Sequence, residues 1–313
     1  MRSDPLVVTR QDLIEADDRA DGWIRREVRT GAAVRAAPGV LLLGRPDLPS
    51  RISAALAHAG PEGIVTGWAG CALRDVPGAD PLPQVAVLVP AEIQRVSTSY
   101  VRIMSTVRQP APTLIDGVRV APAVRCVVDA ARQLDGLRPI RHLVMSALAS
   151  GAVPLADLDG ELAAGARNGS RLVRRALLDA ARGAASAPEA ELADVVLGLA
   201  RRRQLPPFLL NPEVWLGDRL VGRPDGWFTG VALGWEVDSR AFHSADDTFD
   251  ATLDRHGRFG AAGVLLVHVT PRRFRQLGAA YGKVLVDAVS ARRRDGSAPL
   301  PELRVVPRGP QLP

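Results

Sequence analysis

Three carboxylates on two short apolar segments constrain this 313-residue chain more than any other feature. Arg223-Pro224-Asp225 is followed eleven residues later by Glu236-Val237-Asp238, and His243 lies five residues further on. The stretch from Trp227 to Trp235 reads as a β-hairpin, because Thr229-Gly230 interrupts two runs of aromatic and β-branched residues. A turn centred there sets Asp225 across from Gly234, one diagonal step from Glu236. Diagonal neighbours in a sheet lie about 7–8 Å apart, within reach of one shared ion. Glu236 and Asp238 are two apart on a strand and point to the same face. Acids gathered in this way are either solvated at a strand end or share a hard cation. For a cation, oxygen donors favour Mg2+ or Mn2+ over zinc.

Composition narrows the setting. With 47% hydrophobic and 24% charged residues, the chain expects two or three globular domains. No apolar run approaches the eighteen or so residues that a membrane span needs, and Met1-Arg2-Ser3-Asp4 lacks a signal-peptide core, so the expectation is a cytoplasmic protein with no membrane partner. Cys71 and Cys126 are the sole cysteines, too few for a disulfide framework or a thiolate zinc site. The net charge of +6 is compatible with a polyanionic partner such as DNA. Lys283 is the sole lysine, so the positive charge is almost entirely arginine.

Three regions follow along the chain. In residues 1–48, Thr9 caps a helix from Arg10 with Asp12 at the capping-box position. A second helix over Gly22–Arg29 stops at Thr30-Gly31, and Ala33–Leu43 reads as a hairpin turned at Pro38-Gly39. Helix, turn, helix and wing are the parts of a winged helix-turn-helix. Trp23, Ile24 and Val28 would then face its core, while Arg25, Arg26 and Arg29 face DNA and Arg35 on the wing reaches a phosphate. The alternative is a helical hairpin whose arginines are merely solvated.

Residues 49–183 form a mixed α/β and then helical middle region, with strands at Val85–Pro90 and Tyr100–Met104 and four helices that start near Pro122, Pro139, Pro154 and Ser170. Arg125 and Asp129 are spaced for an i,i+4 ion pair on a surface or in packing. Residues 184–313 begin with the capping box Ser186-Ala187-Pro188-Glu189. Strands at Glu213–Leu216 and Arg219–Val221 and the acidic hairpin follow, then a helix over Asp247–Ala261 and a buried strand over Val264–Val269. The expected order is αβββαβ. Arg255 and Arg258 project from the helix, giving acids in a cleft with arginines on its rim.

The αβββαβ order with the Asp225…Glu236-Val237-Asp238 spacing resembles the PD-(D/E)XK restriction-endonuclease superfamily. The run from Glu236 to His243 resembles its very-short-patch-repair endonuclease-like branch. Glu189 matches the acid on that branch's first helix, and Asp254-Arg255 an Asp-Arg pair on the helix after the active-site strand. Thr9-Arg10-Gln11, Val34–Val40 and Pro122-Ala123-Val124-Arg125 are similar to the winged-helix and middle parts of AbiEi-type antitoxins of type IV toxin–antitoxin systems. The chain is thus expected to be α+β, with a winged helix, an AbiEi-like middle region and a restriction-endonuclease-like domain.

This resemblance implies DNA as partner, a cognate toxin protein as a further one, and Mg2+ or Mn2+ held by Asp225, Glu236 and Asp238 if the domain is active. His243 would act as general base or acid, and Glu189 would add a further acid. Two departures stand out. Asp238 occupies the place of the superfamily's lysine, and Ser239 that of the branch's glycine. The sequence therefore leaves two readings open, a metal-dependent DNA endonuclease and a non-cleaving DNA-binding antitoxin or repressor with a degenerate nuclease fold.

Overall fold

A computed structural model describes residues 7–16, 20–238, 247–278, 280–294 and 302–312. The chain is α+β and divides into two compact units, Met1–Arg174 and Arg175–Pro313.

The first unit opens with β1 (Val7–Thr9), α1 (Arg10–Ala16), α2 (Ala20–Thr30), β2 (Ala33–Ala37) and β3 (Val40–Leu43). The capping box at Thr9 forms: its Oγ1 accepts from the Asp12 amide at 3.1 Å, and Asp12 Oδ2 accepts from the Thr9 amide at 2.9 Å. The three strands form an antiparallel sheet in the order β1-β3-β2. Gly39, at φ 73°, turns the β2–β3 hairpin in a conformation a side chain would strain. On α2, Ile24 is buried and Arg25, Arg26 and Arg29 are exposed, while Trp23 and Val28 are only half-buried.

Helix α3 (Leu48–Ala59) starts at Asp47, whose carboxylate accepts from the Ser50 amide at 2.9 Å. Its apolar residues face two ways. Ala54 closes the core of the β1-β3-β2 sheet with Ala36, Ala37, Val40 and Leu42. Ile52, Ala55 and Ala59 pack into the next core, with Val65, Trp68 and Val87.

That second core lies on a mixed five-stranded sheet. Its elements are β4 (Ile64–Thr66), α4 (Gly67–Leu73), β5 (Val85–Pro90), β6 (Val101–Thr106), β7 (Thr113–Ile115) and β8 (Val118–Val120), and the strand order is β6-β5-β4-β8-β7. Residues 85–89 are fully buried, as their unbroken apolar run requires of a strand covered on both faces. The helices α5 (Ala123–Ala131), α6 (Leu137–Ala149), α7 (Leu155–Ala164) and α8 (Ser170–Ala181) follow, α8 crossing the boundary between the units.

Arg125 and Asp129 pair on α5 as their spacing predicts, but not at a surface. Asp129 is completely buried, and its Oδ2 accepts from Arg125 Nε at 2.7 Å and from Thr66 Oγ1 at 2.9 Å.

The second unit contains α9 (Ala187–Arg201), β9 (Phe208–Leu210), β10 (Glu213–Leu216), β11 (Arg219–Gly222), β12 (Gly226–Phe228), β13 (Leu233–Val237), α10 (Asp247–Ala261), β14 (Leu265–Val269), α11 (Pro271–Leu277), α12 (Ala280–Arg294) and β15 (Leu303–Val306). Five described strands, not three, lie between α9 and α10. β10 and β11 leave the main sheet and form a separate one with β15, in the order β11-β10-β15, while β9 takes a place in the four-stranded sheet β14-β13-β12-β9. That sheet is antiparallel except for β13 and β14, which are parallel and joined through α10 as a parallel pair requires. β14 is an edge strand with Leu265 39% exposed, so the expectation of a buried last strand does not hold.

The two faces of this sheet differ because side chains alternate along β13. Trp235 is fully buried between Phe208 and Phe228, at ring-centroid distances of 5.3 and 4.9 Å. Gly226, its cross-strand partner, leaves the space the indole fills: a Cβ there would lie 1.9 Å from the ring. Trp227, on the other face, packs with Phe259 of α10 and with Ala262 just beyond it. Glu236 is one residue from Trp235 and faces the α10 side.

Candidate functional site

The hairpin register brings the two principal acids closer than their spacing suggests. Phe228 pairs with Leu233, Trp227 with Gly234 and Gly226 with Trp235. Continued by one residue, this sets Asp225 opposite Glu236 rather than opposite Gly234. The connection is wider than a two-residue turn because Val231 and Ala232 are buried in the loop instead of extending the strand. There the Ala232 carbonyl accepts from the Leu265 amide and the Thr229 amide donates to the Pro207 carbonyl, anchoring the loop to its neighbours.

Asp225 Oδ2 accepts a 2.6 Å hydrogen bond from the Val237 amide, locking the carboxyl against β13. Burial pushes the Asp225 carboxyl well above the usual carboxylate range. Glu189 and Glu236 push the same way, against the Val237 hydrogen bond and Arg255.

A stability consequence follows. The folded protein keeps the Asp225 proton at pH values where the unfolded chain, with a carboxyl pKa of about 3.9, has lost it. Stability therefore falls as pH rises from about 4 towards the folded-state value. In chelator-treated buffer, Asp225→Asn is expected to raise the urea midpoint at pH 8 and to change it little at pH 4 and below. A lower midpoint at pH 8 would contradict this account.

Glu189 turns back onto the start of α9, but its carboxylate meets the Ser186 hydroxyl and the Ala185 amide rather than the Ser186 amide of a full capping box. Its Oε1 accepts from Ser186 Oγ at 2.8 Å, and its Oε2 accepts from the Ala185 amide at 2.9 Å and from Asn211 Nδ2 at 2.8 Å. Asn211, in the left-handed region at φ 48°, also donates its amide to the Asp225 carbonyl at 3.0 Å, tying the start of α9 to the start of β12. Asp238 leaves β13 half-buried, with its amide donating to the Val269 carbonyl at 2.8 Å. His243 and Ser239 lie outside the described residues.

The arginines expected on the rim separate. Arg255 turns onto Glu236, with Nη2 2.8 Å from Oε2. Arg258 donates from Nε to the Val221 carbonyl at 3.3 Å. Arg25, Arg26, Arg29 and Arg35 belong to the other unit, where all four are exposed.

Two site residues escaped the sequence reading. His268 is the in-register partner of Glu236 across the parallel pair, and its Nδ1 is 3.5 Å from Glu236 Oε2. His256, next to Arg255 on α10, stacks on it with ring centroids 3.8 Å apart. Burial, helped by His256 and Arg255 and opposed by Asp238, lowers the His268 pKa to about 4, so this ring is neutral at pH 7. The available signal was a histidine inside the otherwise apolar run Leu265-Leu266-Val267-His268-Val269.

No family model matches the chain, and no curated protein shows significant similarity to it. Among solved structures, the RV2827C protein from Mycobacterium tuberculosis is similar over 56% of this chain and 72% of its own, with 16% sequence identity and a TM-score of 0.39. No helix among the described residues is long and apolar enough to cross a membrane.

Proposed function

We propose that this chain binds DNA and that its C-terminal unit is a metal-dependent DNA endonuclease of the PD-(D/E)XK kind. One observation carries the reading: Asp225 is hydrogen-bonded to β13 beside Glu236, at the end of an antiparallel pair whose second strand runs parallel to β14. The order α9-β9-β12-β13-α10-β14 around the four-stranded sheet supports it, being the αβββαβ order expected of that superfamily.

Mg2+ or Mn2+ suits Asp225, Glu236 and Asp238, which are all oxygen donors. Burial first, and then the negative charge of Glu189 and Glu236, raises the Asp225 carboxyl, and a dication would offset both. When bound, such an ion supplies a more acidic water and neutralises charge on the scissile phosphate. The chain's own residues do the positioning. The Val237 amide fixes Asp225, and Arg255 on Glu236 brings the positive charge that the superfamily takes from a lysine. The sole lysine, Lys283, is instead exposed and paired with Asp287.

A second reading, a DNA-binding antitoxin or repressor that does not cleave, is favoured by the exposed Arg25, Arg26 and Arg29 on one short helix whose Ile24 is buried. A cognate toxin would then be a further partner.

One experiment separates the two. Wild-type protein is expected to nick supercoiled plasmid with Mg2+ or Mn2+. The Asp225→Ala/Glu236→Ala variant should nick at least about 100-fold more slowly, since one lost electrostatic group alone costs that much. Both proteins should retard a DNA fragment in a gel, and Arg25→Ala/Arg26→Ala/Arg29→Ala should not. Equal nicking by the acid variant would overturn the nuclease assignment. Retardation without nicking by wild type would leave the second reading.

A further inference from the structure

We propose that Glu236, His256 and His268 form a binding site for a borderline first-row divalent ion of the Zn2+ class, which shares Glu236 with the acidic Mg2+ site and differs from it in its two imidazoles. One nitrogen from each ring and one carboxylate oxygen all lie within 4.8 Å of one another. Three independent elements deliver them: β13 brings Glu236, its parallel neighbour β14 brings His268 in register, and α10 lays His256 over that pair. His256 Nε2 and His268 Nδ1 are both shielded from solvent with no hydrogen-bond partner. Buried polar nitrogens ordinarily find a partner, so two unpartnered ones on rings grouped with one carboxylate make a donor set for a cation.

The donor chemistry selects the ion. Two imidazoles and one carboxylate are the protein ligands of a recurrent class of catalytic zinc site, which leaves a further position for water or substrate oxygen. Imidazole suits Zn2+, Fe2+ or Ni2+, whereas Mg2+ demands oxygen donors and keeps its waters. Tetrahedral coordination at roughly 2.0–2.2 Å puts ligand atoms about 3.4 Å apart, so the three groups need close only modestly. Arg255 holds Glu236 Oε2 at 2.8 Å and occupies part of the charge position the ion would take. It competes with the ion for the carboxylate, or shares it. The site shares Glu236 with the acidic centre but needs neither Asp225 nor Asp238, so its ion binding is testable apart from phosphodiester chemistry.

The test uses full-length protein stripped by chelator and titrated with Co2+, whose visible absorption reports nitrogen and oxygen coordination in the Zn2+ geometry. Wild type is expected to bind one equivalent, to release it to Zn2+, and to retain it against millimolar Mg2+. His256→Ala and His268→Gln should each weaken binding by at least about 10- to 100-fold, the loss already seen when only a group orienting a metal ligand is removed. Asp225→Asn should stay within a few-fold of wild type, so loss of nicking without loss of Co2+ binding separates the two sites. Should either histidine variant fold poorly by circular dichroism, histidine ring NMR of wild type decides. Two of the five histidines should then shift with one equivalent of Zn2+. Absent Co2+ bands, bands that survive both histidine substitutions, or bands lost in Asp225→Asn would overturn the proposal.

Discussion

Asp129→Ala is expected to destabilise the N-terminal unit by about 3–5 kcal/mol, a large share of the 5–15 kcal/mol typical of a folded domain. The carboxylate is completely buried and takes hydrogen bonds from Arg125 and Thr66, with Arg132 Nη1 at 3.9 Å. Removing it strands the Arg125 guanidinium, itself 9% exposed, with only the more distant Glu161 at 3.5 Å. A buried ion pair of this kind is commonly no source of net stability relative to well-packed apolar residues. Burial pushes the Asp129 carboxyl up despite Arg125, Thr66 and Arg132, so desolvation outweighs the attraction. The Arg125→Met/Asp129→Leu double variant should therefore recover most of the loss. Urea unfolding of the single and double variants measures both effects. A double variant no more stable than Asp129→Ala would show that the network itself holds the fold.

Gly226→Ala should cost the C-terminal unit at least about 3 kcal/mol, at the top of the usual range for an overpacked core. The new methyl would sit 1.9 Å from the Trp235 ring, and neither partner can retreat. Gly226 is held in register between β9 and β13, while Trp235 is clamped by Phe208 and Phe228. Trp235→Leu shortens the side chain that causes the clash, so the two substitutions together should cost less than their sum. A Gly226→Ala protein that unfolds within about 0.5 kcal/mol of wild type would refute this packing argument.

Local signals were the most legible part of the sequence. The capping box at Thr9 forms, Ser186 caps α9, and α10 runs over the expected Asp247–Ala261, because helix starts and periodicity are encoded within a few residues. The three-residue strands β1, β4, β7, β8 and β9 escaped, being too short for alternation to register. β9 also follows Pro206-Pro207. The acid pair was readable as a constellation but its register was not. The turn's width depends on burial of Val231 and Ala232, which only tertiary packing decides. Arg255 was expected on a rim and instead meets Glu236. His256 and His268 come from elements joined by parallel pairing, and no local spacing predicts which residues such a crossover aligns.

Helix α3 gives the N-terminal unit an economy of parts: one element serves as the floor of one layer and the ceiling of the next. Ala54 seals the small antiparallel sheet while Ile52, Ala55 and Ala59, on neighbouring turns, seal the larger one. Thr98 reinforces the junction, donating its hydroxyl to the Ala36 carbonyl at 2.6 Å. The smallest piece that could be grafted onto another scaffold therefore extends through Ala59, not merely to the end of its hairpin. A graft so cut would carry an apolar face that any new host must cover.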